Sequence, residues 1–147
     1  MICYEEMKLE HVSAVARLEM ENFSLPWSEN VLRGELNNPL ALWLVALDGG
    51  QVVGYIGAQI VPDEADMMNL AVDENYRRRG IGKELVAQLI ERLQMRSVRS
   101  LTLEVRVSNL PAVTLYESMG FVTVGRRPNY YQKPKEDAYI LRKEWQL

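Results

Sequence analysis

Apolar residues recur along this chain with two periods, and the two divide it into helices and strands. Residues 11–21 carry Val12, Val15, Ala16 and Leu18 among polar neighbours, the spacing of one helical face. Asn22-Phe-Ser-Leu-Pro-Trp-Ser28 breaks that period as an aromatic, proline-containing loop. Ser28 is placed to cap a short helix over 29–36, which Asn37-Asn38-Pro39 stops. The dense apolar run 43–47 predicts a strand, Asp48-Gly49-Gly50 a hairpin turn, and 52–60 the returning strand. A turn at 62–64 leads to a third strand over 66–72. From 82 to 95 the period lengthens again, with Leu85, Val86, Leu89, Ile90 and Leu93 on one face of a helix.

Residues 101–105 read as a central strand. Asn109 and Pro111 open a helix that runs to Met119, with Gly120 as its left-handed cap. Residues 121–125 and 138–142 read as strands, and 129–137 as a polar, tyrosine-rich loop between them. The order is helix, helix, three strands, helix, strand, helix, two strands. That order predicts an α/β fold, a mixed sheet with helices against its faces.

At 147 residues, one domain over 1–147 is expected, long enough to bury a core. A net charge of -3 and a pI of about 5.3 speak against a nucleic-acid binder driven by bulk charge. Met1-Ile-Cys-Tyr-Glu-Glu6 has early acids and no apolar stretch of the secretory kind. No apolar run approaches the ~20 residues that span a bilayer, so no membrane is expected and the cytoplasm is the natural compartment. Cys3 is the only cysteine, which rules out an internal disulfide and a cysteine-held metal; no metal cofactor is expected. The only histidine, His11, falls at a polar helix start and reads as a solvated surface residue.

Candidate chemistry concentrates where the third strand meets its helix. Asn69-Leu-Ala-Val-Asp-Glu-Asn-Tyr-Arg-Arg-Arg-Gly-Ile-Gly-Lys83 places Arg77, Arg78 and Arg79 before Gly80-Ile81-Gly82-Lys83. Glycines there let a ligand approach the backbone, and the first helical N–H groups lack intrahelical partners. With the helix dipole, this makes a seat for a diphosphate. Two glycines and one Arg or Gln at these spacings arise by chance in roughly one chain in fifteen. The position between strand and helix is what gives the motif weight. The segment lacks the third glycine of dinucleotide binders and the Gly-Lys-Ser/Thr of a P-loop.

Further along, Glu104 interrupts Leu101-Thr-Leu-Glu-Val105 and faces away from the leucines. It is either a solvated strand carboxylate or a general base. Tyr116 is either a core phenol or an acid, and Asn109 a helix cap or a ligand contact. Tyr130 and Tyr131 are either edge-strand aromatics or a binding wall.

Together these residues carry a resemblance. Arg77-x-x-Gly80-x-Gly82, then Leu103-Glu-Val-Arg-Val-Ser-Asn-Leu-Pro-Ala-Val-Thr-Leu-Tyr-Glu-Ser-Met-Gly-Phe121, resemble the GNAT family of N-acetyltransferases. Phe23-Ser-Leu-Pro-Trp-Ser28, Asn129-Tyr-Tyr131 and Glu136-Asp-Ala138 resemble, within it, the bacterial enzymes that acetylate the N-terminal alanine of ribosomal proteins. Two departures stand out: Arg77 where Gln is commoner, and Pro128 before Asn129.

The resemblance implies a splayed sheet of six or seven strands with acetyl-CoA as co-substrate. Its diphosphate would lie on the N–H groups of Arg78, Arg79, Gly80, Ile81, Gly82 and Lys83, and its pantetheine arm would pair with Leu70, Ala71 and Val72. Asn109 would hold the cofactor, Glu104 would be the base and Tyr116 the acid. Phe23 and Trp27 on one side, Tyr130 and Tyr131 on the other, would wall a groove for a protein N-terminus, with a ribosomal protein as partner. The rivals are acetylation of a small amine or lysine, and an acyl-CoA-sensing module without turnover.

Overall fold

The computed structural model describes residues 1–147. One sheet of seven strands runs through it, in the order β1-β2-β3-β4-β5-β7-β6. The strands are β1 (Ile2–Glu6), β2 (Ala41–Asp48), β3 (Gln51–Ile60), β4 (Ala65–Val72), β5 (Ser100–Arg106), β6 (Val122–Gln132) and β7 (Lys135–Glu144). The α-helices are α1 (Val12–Asn22), α2 (Glu29–Glu35), α3 (Ile81–Met95) and α4 (Leu110–Ser118). All neighbouring strands pair antiparallel except β4 and β5.

Alternation along β2 explains why helices sit on both faces. Leu42, Leu44 and Ala46 point into one core, with Leu85, Leu89 and Leu93 of α3; Trp43, Val45 and Leu47 point into the other, with Val12, Val15 and Leu18 of α1. Each fully buried leucine contributes about 1.5–3 kcal/mol of transfer free energy. The helix caps follow local chemistry. Ser28 Oγ accepts from Val31 N at 3.1 Å, and Asn109 Oδ1 from Ala112 N at 3.3 Å.

Two irregularities create the site. The parallel pairing of β4 and β5 is limited to Ala65 with Leu101 and Asp66 with Thr102, and beyond that the strands part. On its other side, β4 carries a bulge. Ile56 faces Leu70 while Ala58 faces Met67, so Met68 and Asn69 together oppose Gly57. A Cβ on Gly57 would come within 2.5–2.6 Å of the Trp43 ring, so only glycine fits opposite the bulge.

Three expectations are corrected. Residues 2–6 form a strand, β1, paired with β2 from Ile2–Asp48 to Glu6–Leu44. The segment 129–137 is an extension of two long strands, with a tight turn between Gln132 and Lys135. His11 is 5% exposed, not solvated, and its Nδ1 accepts from Lys8 N at 2.9 Å, which closes a turn of 3-10 helix before α1.

Candidate active site

A groove of about 630 Å3 opens where β4 and β5 part. Leu70, Ala71 and Val72 line it, as do Arg77, Arg78, Gly80, Ile81, Gly82 and Lys83. The opposite side comes from α4, through Pro111, Ala112 and Leu115, and one end from Asn22 and Phe23. The volume falls in the range of small-molecule sites. Gly80 has φ +78° and caps α3, a conformation that glycine holds without strain. Gly82 has a different role: a Cβ there would only reach ordinary contact, 3.8 Å from Val72 Cγ2. Its lack of a side chain leaves the first turn of α3 open to a ligand.

The arginines divide their work. Arg77 Nη2 donates to Asn22 Oδ1 at 2.7 Å and its Nε to Val72 O at 3.2 Å, tying the loop to α1. Arg78 lines the groove with φ +65°. Arg79 does not line it; its guanidinium lies 4.8 Å from the Tyr76 ring centroid and donates to Asn75 O. Asn109 is also outside the groove lining, and its side-chain oxygen is engaged in the α4 cap. Asn22, Tyr76, Pro111, Ala112 and Leu115 are lining residues that the sequence pattern does not single out, because they lie in separate segments.

Past the groove, β5 and the β6–β7 hairpin bring the polar candidates together. Glu104 lies on the sheet face opposite the first core, with 21% of its side chain exposed. Its Oε1 is 3.4 Å from Arg127 Nε. Tyr130 and Tyr131 pack edge to face, centroids 5.0 Å apart. Arg106 stacks 4.3 Å from the Tyr131 ring, and Arg127 lies 5.8 Å from the Tyr130 ring. Burial, then the charges of Tyr130 and Glu104, push the Tyr131 hydroxyl up to about 12. Tyr116 is buried edge-on to Phe121 at 5.5 Å, and burial holds its hydroxyl well above the ordinary tyrosine value. It therefore keeps its proton throughout the neutral range.

Trp27 is half-buried and packs edge-on to Trp43 at 5.3 Å, while Trp43 stacks on Tyr55. Thus the aromatic loop is anchored in the second core.

Pro128 lies in a second bulge. Arg127 faces Ala138 and Tyr131 faces Glu136, which leaves 128–130 looped out of the ladder. Asn129, at φ +54°, is held there by its N–H donating to Asp137 Oδ1 at 2.8 Å. Glu136 accepts from Ser108 N at 2.8 Å and from Arg106 at 3.2 Å. Those bonds hold the Glu136 carboxyl below its usual value, through Ser108 first and Arg106 after; Asn129 and then Arg126 do the same for Asp137.

A depressed folded-state pKa stabilises the fold above the unfolded value and stops doing so as pH falls through the folded one. The hairpin tip is therefore expected to stay ordered from pH 7 to about 5 and to loosen below about pH 4. The amide resonances of Ser108 and Asn129, followed by NMR, should shift together over that lower window.

A sheet that parts between β4 and β5, with a glycine-capped helix at the mouth and a strand carboxylate beyond it, defines a class. The model of the acetyltransferase (GNAT) family matches residues 7–121, and the chain belongs to that family. It is an N-acetyltransferase, and acetyl-CoA is its co-substrate.

Among its relatives, the [ribosomal protein bS18]-alanine N-acetyltransferase of Escherichia coli K12 is 37% identical over 130 residues, covering 87% of each chain. The protein of the same name from Salmonella typhimurium is 40% identical over 131 residues, again with 87% of each covered. The crystal structure of the ribosomal-protein-S18-alanine N-acetyltransferase from Escherichia coli superposes with a TM-score of 0.91 at 34% identity, over 100% of this chain and 96% of that one. No group of three or more His, Cys, Asp or Glu side chains is arranged to hold a metal ion. No helix is long and apolar enough to cross a membrane.

Proposed function

We propose that this protein acetylates the α-amino group of protein N-termini in the cytoplasm, foremost the N-terminal alanine of a ribosomal protein of the bS18 kind. The observation that carries this is the position of Glu104. It stands on the sheet face opposite the first core, the face whose core anchors the aromatic loop through Trp27, and it pairs with Arg127 of the β6–β7 hairpin beside Tyr130 and Tyr131. An identity of 37% to a bS18-alanine acetyltransferase, aligned over 87% of the chain, supports the same acceptor.

The residues divide the reaction as follows. N–H groups of the first turn of α3, with Arg78 and Lys83, take the diphosphate of acetyl-CoA. The unpaired edge of Leu70, Ala71 and Val72 takes the pantetheine arm as an added strand, and an N–H there polarises the thioester carbonyl. Glu104 accepts the proton that the acceptor ammonium must lose before its nitrogen can attack. The Tyr116 hydroxyl, protonated throughout, donates a hydrogen bond and then a proton to the departing thiolate. Phe23 and Trp27 wall one side of the acceptor channel, and Tyr130 and Tyr131 the other.

An N-terminal acetylome of cells with and without this protein tests the acceptor. The expected result is loss of acetylation at the alanine terminus of one or a few ribosomal proteins. An unchanged set of termini, with losses at lysines or small amines instead, would contradict it.

A further inference from the structure

The one carboxylate that is fully buried in this chain, Glu19, has no part in the chemistry above, yet four elements meet on it. It lies on the inner face of α1. Its Oε1 accepts from the backbone N–H of Trp27 at 2.8 Å. The side-chain amide of Asn69 donates to both of its oxygens, at 3.1 and 2.9 Å. The Tyr55 hydroxyl, on β3, donates to Oε2.

Every one of these donors is significant for the site. Trp27 belongs to the loop that walls the acceptor channel. Asn69 is the second residue of the β4 bulge, directly before Leu70, where the cofactor groove begins. Tyr55 lies under the Trp43 ring, on which Trp27 packs, and Gly57 makes room for that ring opposite the bulge. A buried carboxylate is stable only when hydrogen-bonded, and here the bonds come from both substrate sides at once.

We propose that Glu19 is a positioning residue: it sets the acceptor wall at Trp27 and the cofactor strand at Asn69 to one fixed spacing. It touches neither substrate. Its effect passes through the Trp27 amide, which fixes where the loop 23–28 stands, and through the Asn69 side chain, which fixes the bulge and hence the direction of the Leu70 backbone. Misplacement of reacting groups by about 1 Å can lower a rate by about 10²-fold. The spacing of acceptor and thioester is the quantity Glu19 controls. This inference rests on the acetyl-transfer reading for its kinetic part only.

Three variants test it, each followed by acceptor-peptide kinetics, calorimetry with CoA and hydrogen exchange at the Trp27 amide. Glu19→Gln separates the two halves of the contact. Its Oε1 still accepts from Trp27 and Asn69, but its amide stands where Oε2 accepted from Asn69 and Tyr55, donor against donor, so the Trp27 bond is kept while the bonds to Oε2 are lost. Glu19→Ala removes every contact, and Asn69→Ala removes the bulge contact alone.

The expected result is a fall in kcat/KM of about 10-fold or more for Glu19→Ala, mostly through the acceptor KM. CoA affinity should stay within about threefold, and the Trp27 amide should lose about tenfold or more of its protection. Glu19→Gln should keep Trp27 protected and the acceptor KM near wild type while lowering kcat, and Asn69→Ala, which removes the bulge contact alone, should do the same. Unchanged kinetics and protection in Glu19→Ala would overturn the proposal. So would a Gln variant whose Trp27 amide is protected no better than that of Ala, since Gln keeps the acceptor oxygen that faces Trp27. Should wild type acetylate no peptide, the acetyl-transfer reading fails, while the exchange at Trp27 still decides whether Glu19 fixes the loop.

Discussion

Glu104→Gln is expected to lower turnover by about 10²–10⁴-fold at pH 7, the usual worth of a general base, while leaving acetyl-CoA affinity unchanged. The two effects separate because Glu104 is not among the residues that line the cofactor groove. Its neighbours are Arg127 and the tyrosines of the hairpin. The defect should shrink as pH rises through the ordinary α-amino value of about 7.7–8.0, because the acceptor then arrives already neutral. Tyr116→Phe keeps the edge-on packing against Phe121 and should also lose turnover at constant affinity, but without that recovery. Rates for Glu104→Gln equal to wild type at pH 7 would place the base elsewhere.

Gly82→Asp should weaken CoA binding by more than about 100-fold without unfolding the protein. The space for a Cβ exists, 3.8 Å from Val72 Cγ2, and the residue lies in the first turn of α3. An acid at that place even favours the helix, because it opposes the dipole. The same carboxylate meets the diphosphate. Unit charges about 4 Å apart repel by about 4 kcal/mol at an effective dielectric of about 20, roughly a thousandfold in affinity. Calorimetry and a thermal melt on one sample should therefore diverge: binding lost, melting temperature held or raised. Undiminished CoA affinity would sink the assignment of this loop to the diphosphate.

The parts of the fold that are legible in the sequence are those with a buried face. Helix α3 announces itself through Leu85, Val86, Leu89, Ile90 and Leu93, all of which are buried. Strands β2 and β3 do so through apolar runs that fill two cores. The β6–β7 hairpin does so only at its base, where 121–125 and 138–142 read as strands; beyond Gly125 strand β6 is largely exposed and polar, and Pro128 reads as a loop signal. Its order comes from the ladder with β7 and from Arg106, Glu136 and Asp137, contacts that only the folded chain brings together. Strand β1 is short and half polar, and its partner β2 is far along the chain, Glu6 pairing with Leu44.

For the site, the glycine loop and Glu104 are legible because each breaks a local pattern. A charge stands out in an apolar strand, and two glycines stand out where a helix begins. Glu19 breaks none. It is one polar residue among several on an amphipathic helix, and its partners Tyr55 and Asn69 lie 36 and 50 residues further along. His11 escapes a reading of the sequence for the same reason, since its polar neighbours along the chain give no sign of the buried turn it forms in space.

The central claim is that this enzyme acetylates chain ends. Terminal amines titrate near about 7.7–8.0 and lysine near about 10.4, so at neutral pH the neutral fraction of lysine is lower by more than about 10²-fold. With Glu104 as the proposed carboxylate base, the terminus should be favoured accordingly, and the proposed aromatic walls should favour a small first residue. A peptide that begins with Ala and carries an internal lysine, incubated with acetyl-CoA and this protein, puts both amines in one molecule. Tandem mass spectrometry should locate the acetyl group on the alanine nitrogen. Label found mainly on the lysine would contradict the account.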